Sequence, residues 1–156
     1  MNFKKILKIV LIVLVSAIMI IQFFRPERLH TDEITDQHII KKINVPDSVL
    51  SILKRSCYDC HSNQTVWPWY SSISPISWFV ADDVVEGRKK MNFSEWGKLS
   101  QSKQVLRLES ICEQITEGEM PLPKYLIIHT DAVLTGHDKD ILCQWSEGEK
   151  KKLEGE

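Results

Sequence analysis

Residues 46–61 read Pro-Asp-Ser-Val-Leu-Ser-Ile-Leu-Lys-Arg-Ser-Cys-Tyr-Asp-Cys-His, and this run decides the fold. Pro46 and Asp47 suit a helix start, and Val49, Leu50, Ile52 and Leu53 follow as one apolar face. The helix leads directly into Cys57-x-x-Cys60-His61. On a helical turn, positions i and i+3 share a face, so two thiols meet the two vinyl groups along one haem edge. The next side chain, the His61 imidazole, then points at the iron. The motif predicts one haem c per chain, held covalently by Cys57 and Cys60 with His61 as proximal ligand.

Two plainer readings compete. Half of a zinc site needs a second close ligand pair, whereas the other cysteines stand singly at Cys112 and Cys143 with no matching His pair. A thioredoxin-like redox motif follows a strand, and no strand pattern is evident.

A sixth iron ligand is expected downstream. Gly118-Glu119-Met120-Pro121-Leu122-Pro123 ends one helix and holds the chain extended after it, so that Met120 becomes the candidate distal ligand. An ordinary core methionine is the plainer alternative. Met91, His129 and His137 are its rivals. His30 and His38 fall in a polar stretch and are expected to be solvated.

The remaining elements read as helical. Ser74-Pro75 starts a helix carrying Ile76, Phe79, Val80 and Val84, expected to run to Glu86 and to be closed by Gly87. Asn92-Phe93-Ser94-Glu95-Trp96 suggests a short capped turn. Val105, Leu108, Cys112 and Ile115 recur at 3-4-3 spacing between Ser102 and Glu117, and Gly118 follows. A last helix is expected from Gly136 to Lys150, with Ile141, Leu142 and Trp145 inward. The class is all-α, a small cytochrome-c-like domain around one haem, with no internal repeat.

The 156 residues carry 20 Lys or Arg and 21 Asp or Glu, a formal charge of −1 that argues against a nucleic-acid partner. The apolar share of 43% is concentrated at the start. Ile6 to Phe24 holds one charge, Lys8, and would rise about 28 Å as a helix, near the ~30 Å of a bilayer core. A run this long favours an uncleaved membrane anchor over a cleaved signal peptide. Lys4, Lys5 and Lys8 before it outnumber Arg25 and Arg28 after it, which puts the N-terminus inside. The expected organisation is an anchor at 1–24 in membrane lipid, a polar tether at 25–44, the haem domain at 45–150 and a charged tail at 151–156. The expected location is a bacterial inner membrane, crossed once, with the haem domain facing the periplasm.

The chain resembles the small bacterial haem-binding-domain proteins, which are c-type cytochromes. The resemblance rests on Ser56-Cys57-Tyr58-Asp59-Cys60-His61-Ser62-Asn63 and Trp67-Pro68-Trp69-Tyr70-Ser71. It continues in Pro75, Trp78, Glu86-Gly87-Arg88, Asn92-Phe93-Ser94-Glu95-Trp96, Met120-Pro121-Leu122 and Tyr125. It spans roughly residues 45–147, and it implies haem on Cys57 and Cys60, His61 proximal and Met120 distal. Many relatives have His where Asp83 stands, so ligation through that position is not expected here.

With both axial positions filled, the expected chemistry is one-electron exchange with unidentified redox partners rather than enzymatic turnover. The alternative is a haem-based sensor in which the distal Met is displaced. Trp67, Trp69, Tyr70, Trp78, Phe79 and Trp96 are candidate pocket walls, and Asn63 or a turn carbonyl would orient His61. Cys112 and Cys143 could pair as a disulfide between the last two long helices or remain buried thiols. Arg88-Lys89-Lys90 and Lys150-Lys151-Lys152 read as solvated helix ends, with docking of an acidic partner the sharper alternative.

Overall fold

The computed structural model describes residues 2–155. Its helices are α1 (Phe3–Ile21), α2 (Ile39–Lys42), α3 (Asp47–Ser56), α4 (Tyr58–His61), α5 (Ile76–Lys90), α6 (Gln101–Glu117), α7 (Pro123–Leu126) and α8 (Gly136–Glu154). Three 3₁₀ turns, Trp69–Ser72, Phe93–Lys98 and Thr130–Ala132, lie between them, and there is no strand among the described residues.

Each long domain helix forms because its apolar residues return to one face. Val49, Ile52, Leu53 and Ser56 are the buried face of α3, and Leu108, Ile111 and Ile115 that of α6. On α8 the face is Leu142, Trp145, Ser146 and Glu149. The helices α6 and α8 lie antiparallel, since the Gln101 side chain at the start of one bonds the Leu153 carbonyl at the end of the other. They are joined by a Cys112–Cys143 disulfide. Leu53, Phe93, Trp96, Leu108 and Leu142 meet as a fully enclosed core.

The ends are set locally. Gly118 closes α6 with φ 78°, a conformation that glycine adopts without Cβ strain. Thr135 and Asp138 form a reciprocal capping box at the start of α8. Asn92 caps the Phe93–Lys98 turn by accepting from Ser94 N.

The transmembrane expectation is corrected. The helix α1 takes in Lys4, Lys5 and Lys8 and stops at Ile21, before the apolar run does. Gln22 leaves the helix to bond Ser74 at both its N–H and its carbonyl. The uncharged stretch left, from Ile9 to Ile21, rises only about 20 Å, well short of a bilayer core. No helix among the described residues is long and apolar enough to cross a membrane. A single-pass inner-membrane protein with a periplasm-facing domain is therefore not supported.

The stretch read as a tether lies along the domain instead. Arg28 donates to Ser71 and Ser72, Thr31 N bonds Asn63 O, and Gly97 N bonds Gln37 O. His38 and Ile39 are buried, so His38 is not solvated as expected. Its Nδ1 accepts from Ile40 N, which caps α2. Other boundaries differ modestly. The helix α5 continues through Gly87 to Lys90, Pro123 starts the short α7, and α8 extends to Glu154.

Candidate haem site

A single tight turn gathers the motif. His61 N bonds Cys57 O at 2.9 Å and Cys60 N bonds the same carbonyl at 3.2 Å, so α4 winds directly off the end of α3. The two intervening residues anchor it. Tyr58 is buried and stacks on Phe93 with ring centroids 5.3 Å apart. Asp59 accepts from Val66 N at 2.9 Å and from the Tyr125 hydroxyl at 2.8 Å, which ties α4 to the following loop and to α7.

The helix α5 runs against this turn at Gly87. A Cβ there would sit 2.6 Å from the Cys60 carbonyl oxygen, closer than real contacts allow. Gly87 therefore sets how closely α5 approaches, a role distinct from the helix-closing one expected. One residue on, Arg88 donates to the carbonyls of Ser62 and Leu29 and to the Thr65 hydroxyl. It is built into the loop rather than being a solvated helix end.

His61 Nδ1 lies 3.1 Å from Met91 O, and as the N–H tautomer it donates there. Nε2 then keeps a free lone pair, with no protein hydrogen-bond partner among the described residues. Burial pushes the imidazole pKa below its ordinary value, opposed by the Met91 and Gly87 carbonyls, so the neutral, ligating form is favoured. The orienting acceptor is thus a backbone carbonyl, as one of the two expectations had it. Asn63 is engaged with Asn92 instead.

Beyond α6, Glu119 N and Met120 N both return to the Gln114 carbonyl, folding the Gly118 turn back on the helix. This brings Met120 to the same space as His61. One cavity of about 320 Å³ is lined by Leu53, Cys57, His61, Phe93, Ile111 and Met120 among others. A second of about 260 Å³ shares Ser56, Cys57, His61, Lys90, Met120 and Pro121 with it and adds Cys60 and Tyr125. All four sequence-predicted site residues meet here.

Cys57 and Cys60 are not disulfide-bonded. Burial pushes the Cys57 thiol up to about 12 and, together with Asp59 and Asp83, the Cys60 thiol up to about 11. Both are therefore protonated at neutral pH. Residues that fit a haem are present by the structure's own test: an apolar cavity, an imidazole with an unused Nε2, and a buried Ser56 hydroxyl with no partner.

Several expectations fail at the walls. None of Trp67, Trp69, Tyr70, Trp78, Phe79 or Trp96 lines either cavity. Trp96 fills the core, whereas Trp69 and Phe79 are 76% and 66% exposed. The aromatic walls are Phe93 and Tyr125. Both stand among the residues that carry the family resemblance, so the signal existed, but nothing in their spacing marked the inward direction. Of the rivals to Met120, Met91 contributes its carbonyl and lines the first cavity. His129 accepts from or donates to the Tyr70 hydroxyl at 2.7 Å, and His137 is exposed. Asp83 lines the second cavity and pairs with Lys124 at 2.8 Å.

An all-helical domain that brings two thiols, an imidazole and a thioether to one apolar cavity has the make-up of a haem-binding domain. The sequence matches the family described as Haem-binding domain over residues 16–148, and the chain belongs to that family. It is a haem-binding protein, and the match takes in the last turns of α1 with the rest of the domain. Searches of curated proteins and of solved structures return no match.

Proposed function

We propose that the chain is a single-haem, c-type electron carrier. Cys57 and Cys60 would hold the haem through thioether bonds, and His61 and Met120 would ligate its iron. The observation that carries this reading is that Cys57, His61 and Met120 border both cavities while Cys60 closes the second.

Haem bound in this way supplies a one-electron Fe(III)/Fe(II) couple. The protein's own part is to hold and tune it. Met91 O fixes the His61 tautomer and makes Nε2 a better donor. The Met120 thioether favours ferrous iron, and the surrounding Leu53, Phe93, Ile111 and Ile115 disfavour the extra charge of ferric iron. Both effects raise the reduction potential. With His61 and Met120 both engaged as ligands, the site would favour electron exchange over substrate turnover.

A pyridine haemochrome spectrum of the purified chain tests the attachment, with thioether-type bands surviving acid–acetone extraction. In Met120→Ala the same haem content is expected, together with loss of the Met–iron absorption band and a lower midpoint potential. Fast, tight carbon monoxide binding by the ferrous wild-type protein would defeat fixed Met120 ligation and move the assignment to a ligand sensor.

A further inference from the structure

The first cavity is largely apolar, and its polar lining comprises Lys90, Arg107, Ser110 and Gln114 besides Ser56 and His61. Arg107, Ser110, Ile111 and Gln114 follow the i, i+3, i+4, i+7 spacing of one face of α6, so the polar edge and the apolar wall belong to one stripe. Lys90, in the last turn of α5, lines this cavity and the second one.

Several cations of the domain are paired. Lys89, Lys98, Lys124, Lys150 and Lys152 each meet a carboxylate, and Arg55 meets Asp138. Among the described residues, neither Lys90 nor Arg107 forms an ion pair or a hydrogen bond, although Arg107 is half-buried against the cavity. A guanidinium with five N–H donors facing an apolar cavity is costly to leave uncompensated, and a carboxylate is its best partner.

The second cavity, which Lys90 also lines, holds three carboxylates, Asp59, Asp83 and Glu86, beside Cys60, whereas Arg107 lines the first cavity alone. A ligand that is apolar in the middle and anionic at one edge is therefore favoured with that edge at Arg107 and disfavoured with it among the carboxylates beside Cys60. Haem has this form, with two vinyl groups on one side and two propionate carboxylates on the other.

We propose that Arg107, with Lys90 beside it, is the propionate-binding site of this chain. The inference rests on the haem reading above and deepens it. Arg107 is a positioning residue here: it fixes which edge of the haem lies outward and neutralises that edge's charge.

The test compares haemin with haemin dimethyl ester, in which both carboxylates are capped, binding to the haem-free full chain. Wild type should prefer free haemin by roughly tenfold or more, the scale of a charge-assisted hydrogen bond. Arg107→Gln should remove most of that preference and Lys90→Gln part of it, while Arg107→Lys should retain some. Lys103→Gln, an exposed change on the same helix, should leave it intact. Equal binding of acid and ester by wild type overturns the propionate site and leaves the haem reading standing, and needs no variant to fold. Equal loss of both ligands in Arg107→Gln also overturns it, as a purely structural role. Absence of haemin binding by wild type sinks both this inference and the haem reading.

Discussion

Gly87 is the residue on which the motif's packing turns. By helix propensity alone, Ala in an α-helix interior is about 1 kcal/mol better than Gly. Here the added methyl would meet the Cys60 carbonyl at 2.6 Å, backbone against which nothing flexible can yield. Overpacking of that kind costs roughly 1–3 kcal/mol, so the clash outweighs the propensity. Gly87→Ala is expected to lower the denaturant midpoint and to reduce the yield of haem-loaded protein. A higher midpoint in urea unfolding would mean that α5 stands off from α4 more than the contact implies.

At the scale of elements, the start of α8 is a pH-sensitive joint. Asp138 accepts from Thr135 N and Oγ1 at 2.8 and 2.7 Å and pairs with Arg55 of α3 at 3.1 Å. The Thr135 hydrogen bonds first, and then Arg55, hold its carboxyl below the usual carboxylate range. A depressed acid stabilises the fold fully above its unfolded value of about 4, and that contribution is lost as the pH falls through the lower folded value. Unfolding midpoints should therefore decline below about pH 4 in wild type, and less steeply in Asp138→Asn. At neutral pH, Asp138→Ala should cost about 1 kcal/mol, read by chemical denaturation.

The α6–α8 pair carries a second element-scale prediction. The disulfide links positions 31 apart. Closing a loop of that length restricts the unfolded chain by about 3–4 kcal/mol. Replacing Cys112 and Cys143 together with Ser should lower the unfolding free energy by up to that amount, and adding reductant to wild type should have a similar effect. The sequence had left the pair open between disulfide and thiols. Periodicity placed Cys112 near a stripe, but only the antiparallel packing of α6 on α8 brings Cys143 beside it.

For the whole molecule, α1 stands apart from the rest. None of its residues is buried, and the domain engages the chain from Gln22 onward. A chain lacking residues 1–19 should unfold within about 2 °C of the full chain, because no packed surface is removed. A large drop in thermal midpoint by circular dichroism would show that the helix contributes to the fold.

What the sequence determined by itself is local. The all-helical class, α3, α5, α6 and α8, the Gly118 stop and the Asn92 cap follow from spacing and capping chemistry, which act within a few residues. The Cys57, Cys60 and His61 turn was legible for the same reason, and Met120 was found through the glycine and prolines around it. Tertiary packing alone decided which aromatics face the cavity, because an amphipathic period shows that a face is buried but not against what. It also decided that Met91 O holds His61, that residues 25–44 lie on the domain, and that α1 ends at Ile21. Each of these depends on contacts between segments far apart in the chain, and hydropathy along one segment carries no record of them.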